Sequence, residues 1–234
     1  MTAKEIVREL KSLGNDGYKK VIMNHGAKEP VYGVKIEAMK KIQMRIKKDY
    51  QLALDLFDTG IYDAMYLAGL VADDSKMTKK DLNRWVENAK SPAIGQFTVA
   101  WVAAESPHGR ELGLKWVDSK KEDVATAGWA TLGSLVSIKD DGGLDLDELK
   151  RLLDRVANTI HDQPNCVRYV MNGFVIAVGS YVKSLTDHAL KTAAKVGQVN
   201  VELVGACKLP SAAEYIKKVQ TRGAIGKKRK SAKC

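Results

Sequence analysis

The sequence predicts an all-α fold in which helix pairs stack as a solenoid. Three observations carry this reading. Apolar residues recur at helical spacing along most of the chain, capping signals interrupt it at short intervals, and no stretch alternates long enough to build a sheet. The pattern gives about a dozen helices of roughly 10 to 18 residues with short connections, which suits stacked helical repeats better than a four-helix bundle. The organising stretch is 33–71. There GVKIEAMKKIQMRIKKDY carries Met39, Ile42 and Ile46 on one stripe, and QLALDLFDTGIYDAMYLAGLV carries Ile61, Met65, Ala68 and Val71 on another. A hairpin of two such helices cannot bury both stripes alone, so it needs similar neighbours on either side.

In chain order, Ile6, Val7, Leu10 and Leu13 mark a first helix that ends at Gly14, and a short second helix runs from Asp16 to Asn24. After the central pair, Thr78 with Asp81 reads as a capping box before Leu82, Trp85 and Val86. Ser91-Pro92 and Ser106-Pro107 each set a capping hydroxyl before a proline, where a missing N–H does no harm. Ser119 with Glu122 opens a helix carrying Val124, Thr131, Leu132 and Leu135. Asp145 with Glu148 opens another after the break at 140–143. Pro164 begins the most apolar helix, CVRYVMNGFVIAVGSY, which is expected to be central. A helix from Leu185 to Val196 closes at Gly197, and Ser211 with Glu214 starts the last one, which ends near Gly223. The intervening QVNVELVGACKLP is too short to nucleate a sheet and reads as an ordered loop.

With 234 residues and 45% hydrophobic content the chain can bury a large core. The expected layout is a helical domain over 1–221 followed by a basic tail over 222–234. No run approaches 18 apolar residues, and MTAKEIVREL carries charges where a signal peptide needs an apolar core, so a cytoplasmic protein with no membrane partner is expected. Cys166, Cys207 and Cys234 lack zinc-like spacing and read as buried or idle thiols, and neither metal nor cofactor is expected. His25, His108, His161 and His188 are scattered, with no Ser or Cys partner at a recognisable spacing. The paired acids at 73–74 and 140–141 read as turns and caps, and Gly14-Asn15-Asp16-Gly17 as a helix connection rather than a phosphate cradle.

The net charge is +10, and Arg222, Lys227, Lys228, Arg229, Lys230 and Lys233 supply six of those charges with no acid among them. Such a tail attracts any polyanion by counterion release. Trp85, Trp101, Trp116 and Trp129 fall on helical stripes, where a core role is the ordinary one. Trp101 and Trp129 are the two singled out as possible nucleic-acid contacts. Arg168 and Asn172 lie four apart and share a face of the apolar helix, either tying repeats together or facing a ligand.

The segment 33–73 and the later CVRYVMNGFVIAVGSY resemble the bacterial DNA alkylation repair (AlkD-like) family in helix shape and spacing, from about Lys20 to Lys195. The resemblance implies a right-handed superhelix of HEAT-like repeats cradling duplex DNA on a concave basic face. In active members it implies excision of positively charged N3- or N7-alkylated purines. Such excision builds positive charge on the sugar, which a nearby carboxylate stabilises, while aromatic faces attract the cationic nucleotide. In active members the carboxylate lies in a Trp-Asp-x-x-Asp-like stretch. Here the corresponding segment is Ser91-Pro92-Ala93-Ile94-Gly95-Gln96-Phe97, with no acid, Gln96 as its polar residue and Trp101 a turn later. The next helix places Val124, Thr126 and Ala127 where the family carries a tryptophan and an arginine, and Trp129 is shifted along. Arg168 matches a family position, and the family's later tryptophan falls on Gly173 or Phe174. Lys35 falls at a helix start that faces the DNA backbone in the family.

These correspondences make Lys35, Gln96, Trp101, Trp129, Arg168, Asn172, Phe174, Lys227, Lys228, Arg229 and Lys230 the expected DNA-binding residues, with no catalytic residue assigned and Asp123 the first alternative acid. The expected function is duplex-DNA binding within the alkylation repair superfamily, with base excision in question for want of the aspartate. A HEAT-like scaffold for a protein partner is the second reading, and structured RNA a third ligand that no sequence motif separates from DNA.

Overall fold

Nine consecutive residues of one short helix, Asp63–Val71, are all buried, so other helices must surround it on every side. The computed structural model describes residues 1–203 and 208–233. Among these there are thirteen α-helices and no strand. They fall into two compact units, residues 1–112 with Lys233, and residues 113–232.

The first unit contains α1 (Ala3–Ser12), α2 (Asp16–Asn24), α3 (Ile36–Ile46), α4 (Tyr50–Asp58), α5 (Tyr62–Val71), α6 (Lys79–Asn88) and α7 (Ala100–Glu105), and the division falls within α8 (Gly109–Trp116). The second holds α9 (Glu122–Ile138), α10 (Leu146–Thr159), α11 (Asn165–Tyr181), α12 (Thr186–Val196) and α13 (Ala212–Thr221).

The caps behave as the sequence predicts. Thr2 with Glu5 and Thr78 with Asp81 form reciprocal capping boxes, and Asp145 and Ser211 accept from Glu148 N–H at 2.9 Å and Glu214 N–H at 3.3 Å. Two starts differ. Ser119 accepts from Lys121 N–H at 3.1 Å instead of capping α9, and Ser106 accepts from His108 N–H at 3.1 Å, so α8 begins only at Gly109.

The expected single helix over 51–71 is two. Thr59 donates its hydroxyl to Leu56 C=O at 2.7 Å, Gly60 turns the chain at φ 64°, and α5 restarts at Tyr62. The sequence pattern continued across the break because α4 and α5 both carry apolar residues in phase with it. Within α5 there is no stripe, since all faces are covered, with Ile61 and Tyr62 half-buried at its start. Trp85 on α6 stacks flat on Phe57 of α4, 4.2 Å between ring centroids. Fully burying rings of this size stabilises by about 1.5–3 kcal/mol each.

In the second unit α9 and α11 are the longest helices, at 17 residues each, and both are largely buried. Trp129 and Phe174 meet edge to face across them at 5.2 Å. Gly128 lies so close to Trp116 and Val117 that any side chain there would collide with their backbone. Arg155 lies 5.6 Å above the Trp129 ring, donates to Val117 C=O at 3.0 Å and pairs with Asp118 at 2.6 Å.

The basic segment after α13 is packed against this unit. Gly226 N–H donates to Ser180 C=O at 2.9 Å and Arg229 N–H to Ser137 C=O at 2.8 Å. Lys228 places its ammonium on Val136 C=O at 2.9 Å and on Asp141 at 2.8 Å, a cation at the C-terminal end of α9 where the helix dipole favours it. Lys233 is counted with the first unit, where it pairs with the buried Asp74 at 2.8 Å. Lys228 and Lys233 are therefore committed to structural pairs. Replacing Lys228 with alanine is expected to destabilise the protein by about 1–2 kcal/mol, between an exposed and a buried pair, and to lower Tm accordingly in a thermal melt.

Candidate nucleic-acid interface

In the first unit, Ser91 accepts from Ile94 N–H at 3.3 Å, as its position before Pro92 predicts. The next turn is wider than an α-helix: Ile94–Val99 is π-helical before α7 continues. Such insertions recur at functional sites because they re-aim a side chain without ending the helix. Thr98 is fully buried against Gly69 of α5, with its methyl only 2.8 Å from where a Cβ on that glycine would lie. With Thr98 turned inward, Phe97 points out and is 42% exposed. Its ring is backed by Trp101 at 5.4 Å, which is in turn met edge-on by Tyr66 at 5.7 Å. Trp101 itself is 6% exposed, so the accessible face of the expected tryptophan site belongs to Phe97. Gln96 lies half-buried beside it, and residues 91–104 contain no charged side chain.

Lys35 stands where the sequence placed it, exposed at the N-cap of α3, whose first N–H groups have no side-chain cap. The buried Asp63 fixes this approach by accepting from Tyr32 N–H at 2.6 Å and Val34 N–H at 2.7 Å. Gly33 (φ 78°) passes so close to Asn15 and Lys19 that no side chain fits. Residues 1–48 carry twelve Lys and Arg against five Asp and Glu, while 49–112 carry six against ten. The N-terminal helices are thus a basic region that attention to the tail alone passes over.

In the second unit the structure redistributes the expected residues. Trp129 and Phe174 are 1% and 0% exposed and pair with each other, so neither ring can stack on a base without opening the core. Helical spacing put them on stripes, and stripes face the core. Asn172 is buried and donates to Pro210 C=O at 3.0 Å. Asn165, two turns earlier on the same face, donates to Glu202 C=O at 3.0 Å and accepts from Glu202 N–H at 2.8 Å. These two amides hold the connection between α12 and α13, of which residues 198–203 and 208–210 are neither helix nor strand and 204–207, including Cys207, lie outside the described residues, as does Cys234.

Arg168, half-buried between them in position along α11, lines a cleft of about 700 Å³ with Asn172, Asn200, Glu202 and Lys208, and its Nε has no hydrogen-bond partner among the described residues. Asp123 is exposed in the first turn of α9, where an acid suits the helix dipole. Lys227, Arg229 and Lys230 are exposed, whereas Lys228 is held by Asp141.

The remaining polar groups read as structural. His25 and His161 bond the carbonyls of Val21 and Val196, and His188 lies 2.9 Å from Asp154. Glu122 accepts from Cys166 N–H at 2.9 Å at the start of α11, and burial together with this carboxylate pushes the Cys166 thiol up to about 11. Among the described residues no cluster of His, Cys, Asp or Glu is placed to hold a metal ion, and no helix is long and apolar enough to cross a membrane.

The chain belongs to the DNA alkylation repair enzyme family, whose model matches residues 6–216. It is 30% identical over 228 residues to uncharacterized proteins of Listeria innocua and of Listeria monocytogenes, each match covering 95% of this chain and 99% of the relative. A solved structure from a family of proteins related to the HEAT-like repeat DNA glycosylases, with affinity for branched DNA structures, is 35% identical over the full length of both chains, with a TM-score of 0.93. The all-α fold is accordingly one of HEAT-like helical repeats, as the resemblance implies.

Two outcomes follow from the second unit. Asn172→Ala removes the bond to the Pro210 carbonyl, whose residue is exposed to water, and is expected to destabilise by about 0.5–1.5 kcal/mol in denaturant unfolding. In a variant with Cys207 and Cys234 replaced by serine, Cys166 is expected to react with a disulfide reagent at pH 8 far more slowly than a free thiol. Its thiolate grows in only as pH rises toward about 11, and rapid labelling at pH 8 would contradict the half-buried, acid-flanked site.

Proposed function

We propose that the protein binds DNA and recognises branched or otherwise distorted structures, without excising alkylated bases. One observation carries the reading. Where active relatives are expected to set a carboxylate, this chain sets an exposed phenylalanine on a π-helical turn, backed by Trp101 and Tyr66, in a stretch with no charge. A lone carboxylate-free aromatic ledge cannot stabilise a sugar cation electrostatically, and stabilising groups of that kind are typically worth about 10²–10³ in rate. It can stack on a base. Base–aromatic stacking is worth about 1–3 kcal/mol and tolerates any base, and it favours DNA whose bases are already unstacked or end-exposed, as at a branch.

The family membership, the net charge of +10 and the affinity of the structural relative for branched DNA support the same reading. Lys35, at the start of α3 where no side chain caps the helix, is suited to a backbone phosphate, and Gln96 to a base edge beside Phe97. Arg168, which lines the cleft of the second unit, is suited to a further phosphate contact. Duplex arms are the partner along which these cations act.

The test is fluorescence anisotropy with a four-way junction and a linear duplex of equal length, together with release of 7-methylguanine scored against spontaneous loss. Preferential junction binding without base release is expected. Absence of salt-sensitive DNA binding, or brisk base release, would overturn the proposal. Phe97→Ala is expected to lower junction affinity by roughly five- to a hundredfold, the span of one lost stacking contact, and linear-duplex affinity much less. Losing the ring's packing on Trp101 is expected to destabilise by about 1 kcal/mol, a fall in Tm of about 2–4 °C that leaves the fold intact.

A further inference from the structure

Lys47 is the only non-glycine residue among those described whose backbone adopts a positive φ, 65° with ψ −124°. That combination lies in territory that a Cβ disfavours and that glycine occupies without strain. The local need for it is plain. Only Lys47, Lys48 and Asp49 join α3 to α4, Lys47 N–H closes α3 on Gln43 C=O at 2.7 Å, and Asp49 N–H is tied to Val71 C=O at 2.8 Å. The tight reversal explains the φ. It does not explain the lysine, because glycine would make the same turn at lower free energy. Strain retained by a bulky residue points to a use for its side chain.

The surroundings indicate what the use is. Lys41 and Arg45 lie one turn apart on α3 and Lys48 follows it in the connection; Arg45 is committed to Glu9 at 2.6 Å and Lys48 to Asp74 at 3.0 Å. Lys40 and Met44 lie one turn apart on α3, and Lys47 sits at its C-cap. All three are exposed, Met44 at 65%, and among the described residues neither Lys40 nor Lys47 has an ion pair. Glu37, one turn before Lys40, is the acid nearest in sequence on this helix. Uncommitted cations within residues 1–48, where twelve Lys and Arg outnumber five Asp and Glu, repel a basic partner and attract a polyanion.

We propose that the C-terminal end of α3, with Lys40 and Met44 on the helix and Lys47 at its cap, is a contact for the sugar-phosphate backbone of a DNA arm, with Lys47 as its anchor. The methionine covers sugar while the two ammonium groups meet successive phosphates. The contact is separate from the aromatic ledge and carries no sequence or branch preference of its own. The inference rests on the DNA-binding reading above, and its test distinguishes the two.

Lys47→Gly relieves the strain and removes the charge together, so its two effects run in opposite directions. Tm is expected to rise by about 2–4 °C, the relief outweighing glycine's extra freedom in the unfolded chain. The log–log salt slope of DNA binding is expected to fall by about 0.9, equally for junction and linear duplex. Lys47→Ala should lose the same slope without the gain in Tm, and Lys47→Arg should keep the slope. If the natural protein binds no DNA, both the inference and the functional reading fail. If it binds but Lys47→Gly leaves the slope unchanged, the backbone contact alone is wrong. A Tm that does not rise would overturn the premise that strain is held there.

Discussion

The burial of α5 on every side is the constraint from which the first unit follows. A helix without a wet face must be enclosed, and α3, α4 and the π-helical turn enclose it. Its one buried charge, Asp63, is tolerated because two backbone N–H groups satisfy it, and those same bonds fix the approach to α3 and the position of Lys35. Its glycine, Gly69, lets Thr98 come close, and with Thr98 inward the neighbouring Phe97 faces solvent. Packing and candidate site are therefore two sides of one arrangement.

The second unit solves a different problem. Two long helices, α9 and α11, share a core in which Trp129 and Phe174 are partners, and the polar face of α11 is occupied with amides that hold the α12–α13 connection. Most of what looks like recognition chemistry in the sequence of this unit is structural. Arg168 differs from its neighbours: among the described residues its Nε has no partner, while Asn165 and Asn172 have theirs.

Helix starts were legible because capping is local chemistry: Thr78 with Asp81, Asp145 with Glu148 and Ser211 with Glu214 act within one turn. The end of α12 at Gly197 (φ 64°) was legible for the same reason. The break at Thr59–Gly60 was hidden by apolar residues that stay in phase across it. The π-helical turn depends on the approach of Gly69 to Thr98, 29 positions apart in sequence, and no local pattern records it. Trp101 and Trp129 could be placed on stripes but not on a face, and which aromatic is exposed depends on that turn. The docking of Lys228 on Asp141 joins residues far apart in the chain, so the basic segment read as a loose end. The basic bias of residues 1–48 was open to counting and was outweighed by the more conspicuous cluster after 221.

In the proposed mode of binding, DNA meets the exposed aromatic turn and the lysines on and just beyond α3. Hydrogen–deuterium exchange of the full chain, with and without a four-way junction at saturating concentration, tests this most directly. Slower exchange concentrated in residues 35–49 and 94–101 is the predicted result. Protection absent from both stretches while the junction is bound would contradict the account.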